Sequence, residues 1–282
     1  ARGPRRCAAG GLTLAAGAIL AARGLCGVAP AARGFVPAPG GRPALPATAV
    51  ATAGAAASAG AFAASAAAAA PLPVAPSGVN ALPEAEQAAA VLAIFAGLAL
   101  DTWFLLFLFG KLRSALPEGW FENWQKTWPV AGAVYMAAGV AHFTSAAAFE
   151  SIYPPPGTWG FWYLPGSASF HVAWTGVAEI LGGAVLFLGA IALGLAETFE
   201  WQVPAPFRQL HALAALGLFV LTIVVSPANI YMYTHGAQMV GLTPGDAPVP
   251  VEGHYARAAL QSVLLSILWG YYEKARPREA TE

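Results

Sequence analysis

Of 282 residues, 57% are hydrophobic and 10% charged, with 14 basic residues balanced by 14 acidic ones. Soluble chains carry about 25% charged residues. The composition therefore excludes an ordinary water-soluble enzyme, and the zero net charge excludes a basic nucleic-acid footprint. Both cysteines, Cys7 and Cys26, fall in an N-terminal stretch that reads as a leader, so the downstream sequence has no thiol for a disulfide, a cysteine-ligated zinc, an iron–sulfur cluster or a nucleophile.

Residues 1–81 do not read as a fold. Arg2, Arg5 and Arg6 precede an apolar run over 7–22, and small residues follow, including Ala29, Ala31, Ala32 and Gly34. That order is the layout of a signal peptide. Phe35-Val36-Pro37-Ala38-Pro39 comes next, and then an Ala/Ser/Thr-rich stretch in which Arg42 is the only charge before Glu84. An acid-free stretch of this kind is typical of transit peptides. The phenylalanine directly after a signal sequence resembles the start of transit peptides in dinoflagellate-type complex plastids. The resemblance implies a plastid address. A second apolar stretch, 47–70, ends in small residues and has the form of a thylakoid-transfer signal.

Downstream, the charges leave five apolar intervals, and a spanning helix needs about 20 mostly apolar residues. They are 88–110, broken only by Asp101; 128–149; 169–195, broken only by Glu179; 209–235, containing Pro227; and 254–272, with Arg257 near its start. The proline should kink or end the fourth helix. The expected fold is all-α, an integral membrane bundle of five transmembrane helices. It divides into a leader (1–81), an N-terminal helix and loop (82–127) and a four-helix domain with a short tail (128–282).

Alternating these helices across a bilayer puts Lys111, Arg113, Lys126, Arg208, Lys274, Arg276 and Arg278 on one side and Arg257 alone on the other. By the positive-inside rule the first side is the cytoplasm-equivalent one. In a thylakoid this places the C-terminus in the stroma and the mature N-terminus in the lumen. No connection between segments has room for a nucleotide-binding domain, and the sequence has no phosphate-binding loop and no paired-histidine metal motif. The glycines of the third segment (Gly176, Gly182, Gly183, Gly189 and Gly194) read as helix-packing positions.

Four polar residues fall at one depth. At 1.5 Å per residue, His142, Glu179, Asn229 and Gln261 all lie roughly 10–15 Å below the lumenal face. Intramembrane ionisable groups are costly and usually face partners. The four could therefore form a polar pocket for a quinone head group or a proton, or a ligand-free clamp between helices. His171, His211, His235 and His254 lie near helix ends. They read as interfacial residues or, in a thylakoid, as candidate axial ligands of chlorophyll magnesium. Trp103 and Phe107 in the first segment, with Trp159, Trp162 and Tyr163 in the connection over 153–170, offer aromatic anchors for a partner protein. Asp101 could face either the bundle or such a partner.

Residues 129–272 resemble the DoxX-like family of small four-helix membrane proteins. The matching positions are Gly139, His142, Phe143, Phe149, Ile152 and Pro154, the run from Gly176 to Gly183, the run from Pro227 to Met232, and Arg257, Leu260, Gln261 and Trp269. Ala258 and Ala259 stand where the family usually has a proline before Leu-Gln, and 157–170 reads as an insertion. The resemblance implies a DoxX-like four-helix bundle preceded by one extra helix, and links it to quinone-coupled redox chemistry. Two functions are expected, one from the plastid address, the absence of a soluble catalytic domain, the missing thiols and the aromatic connection, the other from the His142, Glu179, Asn229 and Gln261 cluster. The first is a non-catalytic accessory subunit of a photosynthetic complex such as a photosystem, with chlorophyll or carotenoid at its surface. The second is a membrane component of a quinone-linked oxidoreductase.

Overall fold

The structure, a computed structural model, describes residues 73–242 and 248–276. Among these residues the fold is helical with no strand. The helices are α1 (Glu84–Ala115), α2 (Trp120–Gln125), α3 (Val130–Thr144), α4 (Ala146–Glu150), α5 (Ala168–Thr198), α6 (Ala205–His235) and α7 (Val251–Ala275). Three of them, α1, α5 and α6, are long and apolar enough to cross a membrane. α3, with 15 residues, would reach only about 22 Å, and α7 carries Glu252, Arg257, Gln261, Ser262 and Ser266.

Local chemistry sets the boundaries. Glu84 and Glu86 in the first turn of α1 and Arg113 in its last oppose the helix dipole. Leu116, extended at ψ 156°, stops α1 because it precedes Pro117. Ser167 caps α5, its Oγ accepting from the Phe170 amide at 3.1 Å. α6 runs through Pro227 and ends at Gly236, left-handed at φ 68°. The proline therefore does not end this helix, contrary to one of the two sequence expectations. The apolar interval 128–149 is not one helix either: the chain breaks at Ser145 (φ −133°, ψ 39°). Just before the break, Thr144 Oγ1 donates to the Val140 carbonyl and His142 Nδ1 lies 2.9 Å from the Ala138 carbonyl. These back-bonds compete with the helical ladder.

α3 lies against α5, α5 against α6, α6 against α7, and α7 against α1. Glycines set the tightest of these contacts. A Cβ on Gly139 would sit 2.6 Å from the Gly176 carbonyl oxygen, and one on Gly132 would lie 2.9 Å from the Phe187 nitrogen. α3 and α5 thus touch backbone to backbone, as small residues allow in membrane bundles. Tyr135, Leu186, Ala215, Leu218, Leu221 and Leu268 form the main core. A second cluster joins Val91 of α1, Trp159 and Ile230 of α6.

Residues 1–72 of the expected leader lie outside the described residues, but 73–81 belong to the folded body. Ala75 and Val79 are buried, and Ser77 Oγ donates to the Tyr233 carbonyl at 2.7 Å. The packed body thus includes residues on the leader side of the boundary at residue 81.

Candidate functional site

The close glycine contact between α3 and α5 brings His142 and Glu179 together. His142 Nδ1 is 3.3 Å from Glu179 Oε2, and both side chains are buried. The Nδ1–H is directed at the Ala138 carbonyl, 2.9 Å away, and Glu179 Oε2 receives no hydrogen bond among the described residues. The imidazole stacks on Phe149, with ring centroids 4.0 Å apart. Its outer face borders an open cavity of about 310 Å³, whose walls include Tyr153, Trp162, His171, Trp174 and Pro227. Burial holds the Tyr153 phenol above its usual pKa, opposed by the nearby Trp162 indole. That indole is not aligned to hydrogen-bond it: Tyr153 Oη and Trp162 Nε1 are buried without a partner among the described residues. The cavity is thus mostly apolar and aromatic, with a few polar groups at its wall, the form usual for small-molecule sites.

Asn229 and Gln261 make their contacts elsewhere. Asn229 Oδ1 accepts from Arg257 Nη1 at 3.1 Å, and the same nitrogen is 2.8 Å from Met232 Sδ. Gln261 Nε2 donates to Ser226 Oγ at 2.6 Å, and Ser226 Oγ donates to the Thr222 carbonyl. These residues line a smaller cavity of about 140 Å³ with Ile94 and Leu98 of α1. The four polar residues that share a depth therefore form two groups, with Pro227 and Ala228 of α6 facing one and Ser226 and Asn229 the other. Arg257 is the polar side chain of this group that the depth reading left out. Its signal was available: a lone cation at the start of an apolar interval needs a partner.

The four end-of-helix histidines differ. An axial magnesium ligand needs a free ring lone pair. His171 has none, since Nε2 donates to the Pro165 carbonyl at 2.9 Å and Nδ1 accepts from Trp174 Nε1 at 3.1 Å. Nor has His211, fully buried with Nε2 on the Leu186 carbonyl at 2.7 Å and Nδ1 facing the Tyr271 hydroxyl at 3.0 Å. Neither His171 nor His211 is therefore a chlorophyll ligand; both hold the fold together. His235 uses only Nδ1, on Thr234 Oγ1 at 2.8 Å, and His254 bonds the Val249 backbone; each keeps one ring nitrogen that could hold a metal. No group of three or more metal-ligating side chains occurs among the described residues.

The proposed partner anchors also divide. Trp103, Phe107 and Tyr163 are exposed. Trp159 is not: only 2% of it is accessible. Gly157 and Gly160, left-handed at φ 87° and 76°, turn the loop back. The indole enters between α1 and α6, where Nε1 donates to Thr234 Oγ1 at 3.0 Å. Trp162 packs edge-on against it at 5.9 Å and is half-buried. Trp159 is therefore a core residue, not a docking anchor. Asp101 faces outward from α1, among exposed Leu100, Trp103 and Phe104. No family model, curated protein or solved structure matches this chain.

Proposed function

We propose that this chain is a multi-pass thylakoid membrane protein acting as a non-catalytic accessory subunit of a photosynthetic complex such as a photosystem. In this reading α3–α4 and α7 join the three apolar helices in a five-span bundle, a DoxX-like four-helix unit preceded by α1. The C-terminus is stromal and the mature N-terminus lumenal. Chlorophyll or carotenoid sits at the surface, and His235 and His254 are the candidate magnesium ligands.

The observation that carries the docked reading is Asp101. It lies roughly 20–25 Å from each end of α1, exposed and without an ion pair or hydrogen bond among the described residues. Lipid is a poor environment for such a group, whereas a partner helix can pair with it. The exposed aromatics beside it, Trp103, Phe104 and Phe107, are of the type enriched at interfaces. A photo-crosslinking residue at Phe104 should capture a photosystem or antenna subunit in thylakoids, and one at buried Val91 should not. Crosslinks from Phe104 to lipid alone would remove the proposal.

A second reading, a DoxX-like component of a quinone-linked oxidoreductase, is favoured by the cavity beside His142. Retention of a prenylquinone by the purified wild-type chain, and its loss in His142→Leu, would support that reading over the first.

A further inference from the structure

A different cavity lies at the opposite, positively charged end of the bundle. It has a volume of about 240 Å³ and lies between the end of α1, α2 and the end of α7, with Leu106, Phe109, Arg113, Gln125, Trp128, Trp269 and the ion-paired Glu273 among its walls. Trp128 is 4% exposed, yet its Nε1–H has no acceptor among the described residues. A buried donor left unpaired costs about 1–3 kcal/mol, so an acceptor in this cavity would be stabilising.

The charges around it are unbalanced. Glu122 is taken by Arg113, whose Nε lies 3.3 Å from Oε1, while Arg113 Nη2 donates to Gln125 Oε1 at 2.9 Å. Glu273 is taken by Arg276 at 2.8 Å. Lys126 and Lys274 have no acidic partner among the described residues. They also repel each other: the Lys274 ammonium, on an exposed residue, is held below its ordinary pKa by partial desolvation and then by Lys126 and Arg113, with Glu122 opposing. Aromatic rings lie at this level too: Trp124 packs edge-on against Trp128 at 5.1 Å, and the Arg276 guanidinium lies 6.0 Å from the Tyr272 ring.

We propose that this cavity binds the phosphate- or sulfonate-type headgroup of an anionic membrane lipid. The headgroup oxygens accept from Trp128 Nε1–H and are neutralised by Arg113 in the wall and by Lys126 and Lys274 just outside it. One acyl chain lies along Leu106, Phe109 and Trp269, where the cavity wall is apolar. Basic pockets between helices on the cytoplasm-equivalent side recognise lipids in this manner. The inference rests on the membrane setting of the apolar helices and is independent of docking through α1.

The test is native mass spectrometry of the full chain in detergent with added phosphatidylglycerol or phosphatidylcholine. Phosphatidylglycerol should be retained in preference. The Lys126→Gln, Lys274→Gln double variant, at exposed positions, should weaken its binding roughly 30-fold, about fivefold per charge, and leave phosphatidylcholine unchanged. Trp128→Phe, which keeps the ring stack and removes the donor, should weaken it several-fold with helicity by circular dichroism unchanged. If Trp128→Phe loses helicity, the double variant decides. Millimolar inorganic phosphate should not displace the lipid. Equal retention of both lipids, full binding by the double variant, or displacement by phosphate would overturn the assignment.

Discussion

His142 Nδ1 lies 3.3 Å from Glu179 Oε2 because Gly139 and Gly176 let α3 and α5 meet backbone to backbone one turn away. The pair is a product of that glycine contact, and the contact can be tested directly. A Cβ on Gly176 would come 2.8 Å from His142 Cβ, whereas one on Gly194 of the same helix would meet nothing within 4 Å. Gly176→Ala should lower stability by about 1–3 kcal/mol through overpacking, and Gly194→Ala should not. Thermal melting in detergent micelles compares them.

Glu179→Gln should preserve the fold better than Glu179→Ala. The amide keeps the shape of the carboxyl and remains polar, whereas alanine leaves His142 facing a buried gap, at a cost of about 2–3 kcal/mol. The same melting experiment reads the difference; equal loss in both variants would mean that the shape of the side chain is not what supports the site.

Trp159→Ser should destabilise the protein by about 3–5 kcal/mol, the cost of emptying a large aromatic site, together with the loss of the Nε1–Thr234 hydrogen bond. Tyr163→Ser, four residues away and 70% exposed, should change stability little. Equal effects would place Trp159 outside the core.

The mature chain should begin upstream of Ala75, since Ala75, Ser77 and Val79 pack on the end of α6. N-terminal peptide mapping of the protein from its native membrane checks this. Recovery of peptides containing Cys7 or Cys26 would contradict the leader reading.

The helices were legible because their signal is local: charges at 84, 86, 111 and 113 bracket α1, and Ser167 and Gly236 cap α5 and α6. What the sequence hid was azimuth. Residue counting gives height along a helix, so it placed His142, Glu179, Asn229 and Gln261 at one level. It could not tell that Pro227–Ala228 and Ser226–Asn229 look toward different cavities. The break at Ser145 depends on side-chain back-bonds within an unbroken apolar run. The burial of Trp159 depends on two left-handed glycines that also fit an exposed loop. The outward face of Asp101 is set by α7 and the 158–160 turn, which cover the other side of α1 and are remote from it in sequence.

The accessory-subunit account is tested most directly by native gel electrophoresis of gently solubilised thylakoids, comparing the wild-type chain with Asp101→Leu. The account predicts that wild-type protein co-migrates with a large, chlorophyll-absorbing complex. It also predicts that Asp101→Leu, which keeps an apolar helix and removes the outward carboxylate, is released from that complex with its helicity intact. Wild-type protein migrating alone and free of pigment and photosystem subunits would contradict it and leave the quinone-linked reading in its place.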